Sequence, residues 1–221
     1  MNNNQIINFE DFYNVSKRCN IEINNNQLML FEKYHGILTD WNKKINLISR
    51  KEENILEKHF LDSILFLPET SGLINQTASF SINVFDIGSG GGFPGIPLAI
   101  MKSGWRFTLC ESTKKKADFL NHLVKGLNLD NVDILNSRIE ALHATPLRYD
   151  LITARAVAKL DELIKYSLPL LKKDGYLLAY KSKDIDEELL NAKKIIEKNK
   201  LRLKILSKEL NGVERKLIII Q

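Results

Sequence analysis

Cysteine is scarce in this chain of 221 residues, and long apolar runs are missing from it. The two cysteines, Cys19 and Cys110, stand far apart and lack the ligand spacing of a zinc module. The longest apolar runs, such as residues 217–220, fall far short of the ~20 residues that a membrane span needs. The asparagine-rich start has no apolar signal core. These absences exclude a disulfide scaffold, a metal module and a membrane protein, and they predict a cytoplasmic protein.

The excess of positive charge is also modest. Lysine and arginine together number 32, against 27 aspartate and glutamate residues, which gives a formal net charge of +5. Hydrophobic residues make up 44% of the chain and charged residues 27%, and both values are ordinary for a globular protein. This small excess permits a polyanionic partner but is weak evidence for one.

The first third of the chain has a helical pattern. From Gln27 to Ile48, apolar residues fall three, four or seven positions apart, as one face of a helix requires. A second helical stretch begins near Ile55, and Pro68 predicts its end. We therefore expect an N-terminal helical region over residues 1–75.

Strands and helices alternate in the remainder. The predicted strands cover 82–87, 106–111, 132–135, 150–154 and 176–181, and the predicted helices cover 114–128, 160–171 and 185–199, with a shorter one that ends at 101. Asn211 and Gly212 predict a tight hairpin turn between two last strands, 203–209 and 214–220. This order predicts an α/β, Rossmann-like domain over residues 76–221, with a seven-stranded and mostly parallel sheet.

Glycines are concentrated in residues 84–97, where the first strand of that sheet turns into a helix. Gly90, Gly92 and Gly95 fit the G-x-G-x-x-G pattern of dinucleotide-binding proteins, which is a weak signal by itself. Asp86 favours a different ligand. A carboxylate at the strand end repels a pyrophosphate, but it attracts the sulfonium and ammonium groups of S-adenosylmethionine.

Two neighbouring features fit either ligand. Gly88 and Gly90 lack Cβ atoms, so backbone N–H groups near them approach a ligand closely. Glu111 ends the second predicted strand, ~20 residues beyond the loop, where an acidic residue binds ribose hydroxyls. Asp86 therefore decides the prediction in favour of the methyl donor.

A short polar segment, residues 137–140, follows the third predicted strand. In one interpretation Ile139 packs on an adenine, and Glu140 or the backbone binds the edge of the base. The same spacing also fits a plain helix start, with Ser137 as the cap and Glu140 three residues later. The pattern alone favours the helix start.

Arg155 follows the fourth predicted strand, whose end faces the transferred methyl group in a methyltransferase of this fold. An arginine in such a buried run needs an anionic or polar partner. The Asn/Asp-Pro-Pro motif, by which many base N-methyltransferases hold an exocyclic amine, is absent. We therefore expect an acceptor atom that needs no amine-orienting group.

Residues 86–98, with the sequence DIGSGGGFPGIPL, resemble the signature of the ribosomal small-subunit methyltransferase G family, also called glucose-inhibited division protein B. Shorter matches follow in the family's order at residues 41–47, 59–63, 137–140 and 154–156. The resemblance covers the chain from about residue 31 onward. Ser182 departs from the pattern, because the family usually has a glycine after the lysine that corresponds to Lys181.

The resemblance implies a class I S-adenosylmethionine-dependent methyltransferase with an N-terminal helical extension. It implies methylation at N7 of one guanine in the 530 loop of 16S rRNA. The residues that it assigns to donor binding are Gly88, Phe93, Ile139, Glu140 and Arg155, with Asp86 and Glu111 in support.

Guanine N7 carries an in-plane lone pair and no proton, so the implied reaction needs no general base. We expect catalysis by positioning, since aligned reactants supply ~7–11 kcal/mol of a barrier. Arg155 is the candidate catalytic residue, either on guanine O6 or in positioning the donor, and the residues leave both roles open. His59 and Asp62 either touch the substrate or form a buried polar contact, and we favour the contact.

The implied partner is 16S rRNA or the small ribosomal subunit. Side chains cannot reach N7 in the deep groove of A-form RNA, so the target guanine must lie in a loop or be flipped out. The candidate contacts to RNA phosphates are Lys114, Lys115, Lys116 and Lys181. A solvated, lysine-rich surface explains the first three equally well. We expect the protein to be a monomer.

Two other functions remain open from the sequence. A nicotinamide-dependent oxidoreductase would use Gly90, Gly92 and Gly95 for its cofactor. A non-enzymatic ribosome-assembly factor would use the fold only to bind RNA. Cofactor binding and methyl transfer to rRNA distinguish these possibilities.

Overall fold

Seven strands form one sheet in the computed structural model, which describes residues 8–74, 81–181 and 185–221. The strands are β1 (Asn83–Ile87), β2 (Arg106–Cys110), β3 (Val132–Leu135), β4 (Tyr149–Arg155), β5 (Leu171–Lys181), β6 (Leu203–Leu210) and β7 (Val213–Ile220). Their spatial order is β3-β2-β1-β4-β5-β7-β6. Strands β1 to β5 pair in parallel, and β7 runs antiparallel between β5 and β6. The predicted seven-stranded, mostly parallel sheet is thereby confirmed.

Helices cover both faces of this sheet, which buries its central strands as a parallel sheet requires. The helices are α1 (Phe9–Arg18), α2 (Asn25–Asn42), α3 (Asp62–Ile64), α4 (Leu67–Ile74), α5 (Gly95–Met101), α6 (Lys114–Leu127), α7 (Leu160–Ser167) and α8 (Asp186–Lys198). A π-helical turn covers Leu56–Leu61, and a 3-10 turn covers Ile139–Leu142. All of the described helices are too short or too polar to span a lipid bilayer.

Helix α1 lies inside the expected N-terminal helical region, but it precedes Gln27, where the apolar pattern noted in the sequence begins. The Asn8 side chain caps the helix by accepting a hydrogen bond of 2.8 Å from the Asp11 backbone N–H. Phe12 and Val15 are buried, and Phe9 and Tyr13 pack against the same core. Residues 9, 12 and 13 have helical spacing, so the sequence does carry an apolar face here.

The first helical stretch is shorter than its apolar pattern predicts. Helix α2 ends at Asn42, whereas the pattern continues to Ile48. The Asn42 side chain accepts hydrogen bonds from the backbone N–H groups of Leu47, at 2.9 Å, and Ile48, at 3.1 Å. These bonds fold the segment after the helix into a turn, so the apolar residues there are buried without continuing the helix.

The expectation that Pro68 ends a helix was wrong. Pro68 lies in the first turn of α4, which runs on to Ile74. A proline is tolerated at that position because the first N–H groups of a helix have no partner within it.

The boundary between α7 and β5 was also predicted wrongly. Helix α7 ends at Ser167 instead of continuing to residue 171, and β5 begins at Leu171 instead of Tyr176. Leu171 pairs with Tyr149, and the next pair is Tyr176 with Leu151. The polar residues between Leu171 and Tyr176 therefore lie where the register of the two strands shifts. Gly175, a residue type that commonly follows a helix end, therefore lies inside a strand.

The predicted hairpin is present at the end of the sheet. Leu210 pairs with Val213, and the two residues between them, Asn211 and Gly212, have φ angles of 50° and 75°. Positive φ at both central residues is the reason that Asn-Gly favours this turn.

A buried aromatic cluster joins the N-terminal helices to the sheet. It consists of Phe12, Phe31, Tyr34, Phe60 and Phe93. Phe60 lies at its centre, with ring centroids 4.8 Å from Tyr34 and 5.4 Å from Phe93. Because Phe93 belongs to the glycine segment after β1, this cluster fixes the N-terminal helices against that segment.

We predict that Phe60→Ala lowers the free energy of unfolding by about 3–5 kcal/mol, the usual loss for a buried phenylalanine. Met29→Ala is the control, because Met29 is 65% exposed and its loss is expected to change stability by no more than about 0.5 kcal/mol. Denaturant unfolding followed by circular dichroism measures both values. Equal stability of the two variants would contradict the central position of Phe60.

Candidate active site

The turn after β1 has a backbone that only glycine adopts easily. Gly88, Gly90 and Gly92 have φ angles of 64°, 54° and 95°, in the left-handed region where a Cβ atom is unfavourable. A Cβ added at Gly92 would lie 2.7 Å from the Tyr34 hydroxyl oxygen. Residues other than glycine would therefore have a strained backbone in this turn, and at Gly92 the neighbouring atoms leave no room for a side chain.

Side chains from two other elements hold this turn in place. Glu111, at the end of β2, accepts hydrogen bonds from the backbone N–H groups of Gly90, at 3.0 Å, and Thr113, at 2.7 Å. Tyr34 of α2 donates its hydroxyl to the carbonyl oxygen of Gly91 at 2.5 Å. Burial raises the pKa of Tyr34 well above its ordinary value, so the hydroxyl keeps its proton and remains a donor.

Asp86 lies beneath the turn and is completely buried. Its Oδ1 accepts a hydrogen bond of 2.7 Å from the Thr153 hydroxyl, and its Oδ2 faces Gly95, where an added Cβ would lie 2.9 Å away. Burial raises the pKa of the carboxyl group to about 6. Among the described residues, Oδ2 has no hydrogen-bond partner. The carboxyl group is thus held beneath the turn by Thr153 on one oxygen only.

Two clefts open at the carboxyl ends of the strands. The smaller cleft has a volume of about 340 Å³, and the larger cleft has a volume of about 1160 Å³. Val157 and Ala158, which follow β4, line both clefts and separate them. Val157 packs against the glycine turn, since a Cβ added at Gly88 would lie 2.8 Å from its Cγ2.

The smaller cleft brings together three of the residues predicted to bind the donor. Gly88, Ile139 and Glu140 all line it, although they follow two different strands. Glu162 and Tyr166 of α7 complete its wall. The last two residues carried no signal in the sequence, because a Glu and a Tyr four apart on a helix are ordinary surface residues.

The remaining predicted donor residues lie around that cleft. Gly90 and Glu111 form the hydrogen-bonded support of the turn described above. Phe93 is buried, and its ring stacks on Tyr34 with centroids 5.3 Å apart. Arg155 lines the larger cleft, with its guanidinium carbon 5.0 Å from the centre of the Phe93 ring.

Arg155 has the polar partners that its position predicts. Its Nη1 donates to the carbonyl oxygen of Lys58 at 3.0 Å and to Oδ2 of Asp62 at 3.1 Å, and its Nη2 lies 2.7 Å from Nδ1 of His59. Burial, together with the arginine charge, lowers the pKa of His59 to about 4. The imidazole is therefore neutral at pH 7, and its Nδ1 accepts the hydrogen bond. His59 and Asp62 meet through Arg155 instead of binding each other.

Carboxylates of the larger cleft are occupied by protein partners. Asp62 binds two arginines, and Glu57 accepts a hydrogen bond of 2.6 Å from the Asn211 side chain. Glu188 pairs with Lys181 at 2.6 Å and accepts from a backbone N–H at 2.9 Å. Among the described residues that line this cleft, each carboxylate is thus engaged.

The predicted RNA-binding lysines fall into two groups. Lys114, Lys115 and Lys116 begin α6 at the ligand side of the sheet, and Lys114 forms a solvent-exposed pair with Asp118 at 2.7 Å. Lys181 is largely buried and donates to the carbonyl oxygen of Ala158 at 2.9 Å as well as pairing with Glu188. Lys181 therefore holds the segment after β4 in place. Ser182, the departure noted in the sequence, lies outside the described residues.

Metal binding finds no support in the described part of the chain. No group of three or more His, Cys, Asp or Glu side chains in residues 8–74, 81–181 and 185–221 is placed to hold an ion.

The model of the family described as rRNA small subunit methyltransferase G matches residues 27–218 of the chain. A relative of that name from Desulfitobacterium hafniense (strain Y51) is 39% identical over 184 residues, which cover 81% of this chain and 73% of the relative. Another from Staphylococcus aureus (strain JH9) is 41% identical over 180 residues, which cover 80% of this chain and 73% of the relative.

Solved structures show the same fold at low sequence identity. A human methyltransferase 10 domain containing protein superposes with a TM-score of 0.60 and 14% identity, over 89% of this chain and 98% of that one. The fold is that of class I S-adenosylmethionine-dependent methyltransferases, as predicted.

The buried position of Asp86 predicts a pH-dependent effect on stability. The folded chain binds the proton with a pKa of about 6, against 3.8 for the ordinary group, so folding favours the protonated form. Raising the pH from about 4 to about 6 should lower the free energy of unfolding of the wild type relative to Asp86→Asn by about 2 kcal/mol. Denaturant unfolding of both proteins across this range measures the difference. A difference that does not vary with pH would contradict the buried carboxyl.

Proposed function

The chain belongs to the rRNA small subunit methyltransferase G family, and from this premise we propose that it methylates N7 of one guanine in the 530 loop of 16S rRNA, with S-adenosylmethionine as the methyl donor. The observation that carries the proposal is the pair of adjoining clefts, which share Val157 and Ala158. The donor occupies the smaller cleft and the guanine occupies the larger one.

The smaller cleft fits a donor that contains adenosine and carries positive charge. Ile139 offers an apolar surface for the base, and Glu140 and Glu162 contribute negative charge. Gly88 lets the backbone approach the ligand closely. Gly90 has open space beside it, because a Cβ added there would meet only the Gly88 carbonyl oxygen, at 3.8 Å.

Glu111 argues against a dinucleotide at the same turn. In dinucleotide-binding proteins the N–H groups of the glycine loop face a pyrophosphate. Here the N–H of Gly90 already donates to the Glu111 carboxylate, which would repel that pyrophosphate. This carboxylate keeps further lone pairs for the ribose hydroxyls of a donor without phosphate.

The larger cleft suits an acceptor that has no proton to lose. S-adenosylmethionine supplies a methyl group on a positively charged sulfur. The described carboxylates of the cleft are engaged by protein groups. The accepting nitrogen of His59, Nδ1, is occupied by Arg155, so Nε2 carries the ring proton and cannot act as a base. Guanine N7 has an available lone pair and needs no base, so positioning is the contribution required of the protein.

Arg155 is the proposed catalytic residue and part of the donor site. Its contacts to Lys58, Asp62 and His59 use three of its five N–H groups, which leaves two for a ligand in the larger cleft that Arg155 lines. The sequence leaves two roles open for Arg155, binding of guanine O6 and positioning of the donor. Either role would use these two N–H groups.

A ribosomal substrate needs contacts beyond one base. We propose that Lys114, Lys115 and Lys116 bind rRNA phosphates, because they begin α6 at the same edge of the sheet as the clefts and extend into solvent. Lys181 acts differently in this proposal, by holding Ala158 between the clefts.

We predict that the protein binds S-adenosylmethionine in calorimetry and does not bind NAD. Glu111→Gln should weaken donor binding by at least about 10-fold, because the variant loses a charge beside the cation and cannot accept both backbone N–H groups equally well. Glu209→Gln, an exposed substitution on β6, is the control and should bind as the wild type does. Binding of NAD without binding of S-adenosylmethionine would establish the oxidoreductase alternative instead.

The activity is tested with labelled donor and 16S rRNA from cells that lack the protein, supplied as naked RNA and as small subunits. We predict one N7-methylguanine in the 530 loop, mapped by mass spectrometry of nuclease fragments. Arg155→Ala should lower the rate by about 100-fold, on the scale of losing one preorganised charged donor. Arg106→Ala, at the opposite end of the sheet, should leave the rate unchanged.

Two outcomes would contradict this prediction. Donor binding without incorporation into either RNA form would favour the ribosome-assembly role. Incorporation at another position would retain the methyltransferase and refute the guanine assignment.

A further inference from the structure

The carboxylate of Asp62 forms ion pairs with two arginines, one through each oxygen. Its Oδ2 lies 3.1 Å from Nη1 of Arg155, and its Oδ1 lies 3.2 Å from Nε of Arg215. The side chains of Asp62 and Arg155 are each 15% exposed, and that of Arg215 is 13% exposed. The three residues come from α3, β4 and β7, so the pairings join the N-terminal region to both halves of the sheet.

The segment that carries Asp62 has other anchors in the core. Phe60, Leu61 and Ile64 are buried around it and anchor the segment in the core. The Tyr180 hydroxyl donates to the carbonyl oxygen of Ser63 at 3.0 Å and fixes the backbone of α3 to β5. The Asp62 side chain instead lines the larger cleft, where its partners are charged groups of other elements.

Loss of the charge on Asp62 would affect the direction in which Arg155 points. A largely buried guanidinium without a counter-ion is unfavourable and tends to move toward water. With Asp62 absent, the partners of Arg155 would be a backbone carbonyl and the neutral His59, and neither carries a charge. Arg215 would lose its counter-ion in the same cleft and repel Arg155.

We propose that Asp62 is a positioning residue for methyl transfer, and that it acts by holding Arg155 in the orientation in which its remaining N–H groups face the ligands. Arg215 assists by forming an ion pair with the second oxygen of the Asp62 carboxylate. The inference rests on the proposed function, because it concerns the same two clefts. It assigns a role in the reaction to a residue that acts through another side chain, Arg155.

A double-mutant cycle tests this proposal with Asp62→Asn, Arg155→Ala and the double variant. Steady-state methylation of the rRNA substrate gives kcat and KM, and calorimetry gives the dissociation constant of the donor. We expect Asp62→Asn to lower kcat by about 30-fold while KM for RNA changes by less than about 3-fold. Since Asp62 acts through Arg155, adding Asp62→Asn to Arg155→Ala should lower kcat by no more than about 3-fold further.

Asp150→Asn is the matched control. Asp150 is also a buried aspartate of an ion pair, with Lys172 at 2.8 Å, and it lies at the opposite end of β4 from Arg155. Its substitution should lower the melting temperature and leave kcat unchanged. Asp62→Glu keeps the charge but moves it by one methylene group, so it should fold and still lose at least about 5-fold in kcat. If Asp62→Asn does not fold, the kcat of Asp62→Glu tests the positioning role instead.

Three results would contradict these proposals, and they distinguish failure of the positioning role from failure of the proposed function. Unchanged kcat in Asp62→Asn or in Asp62→Glu would overturn the positioning role. Equal losses from Asp62→Asn in the wild-type and Arg155→Ala backgrounds would also overturn it, because they would show an effect independent of Arg155. Absence of methylation by the wild type would instead refute the proposed function, and this inference would then fail with it.

Discussion

The left-handed backbone of the turn after β1 is the constraint on which the rest of the site depends. Inside the turn the backbone N–H of Gly92 donates to the Ser89 carbonyl oxygen at 2.7 Å. Glu111 from β2 and Tyr34 from α2 bind further polar groups of the turn. The requirement for Tyr34 explains why helices precede the sheet. They bring a hydroxyl to the Gly91 carbonyl oxygen, and the aromatic cluster around Phe60 fixes them there. The N-terminal region thus supports the turn of the proposed donor site.

Cations outnumber carboxylates among the described residues that line the larger cleft, where Asp62 pairs with two arginines at once. Five cations, from Lys58, Lys159, Lys181, Arg155 and Arg215, line the cleft, and its described carboxylates are each bound to a protein group. A cleft built in this way holds its side chains rigidly and offers no base. It suits a reaction in which alignment of two reactants lowers the barrier more than proton transfer does.

The sheet and the glycine turn could be predicted because their signals are local. Alternating apolar runs indicate strands, and Asn211-Gly212 indicates a hairpin. The contacts that build the site could not be predicted in this way, since Arg155 and its partner Asp62 stand 93 residues apart in sequence. Arg215 belongs to no motif, and only the position of β7 in the sheet brings it to the cleft. Asp86 was recognised by its motif, but its burial against Thr153 depends on strand pairing.

The insertion of β7 between β5 and β6 links the edge of the sheet to the larger cleft. Among the described strands β6 pairs only with β7, so β6 belongs to the sheet through that strand. Without β7 the long edge of β5 would be open, and an unpaired edge invites association with other chains. The same strand carries Arg215 to Asp62. A change that loosens β7 would therefore expose the edge of β5 and remove a cation from the cleft together.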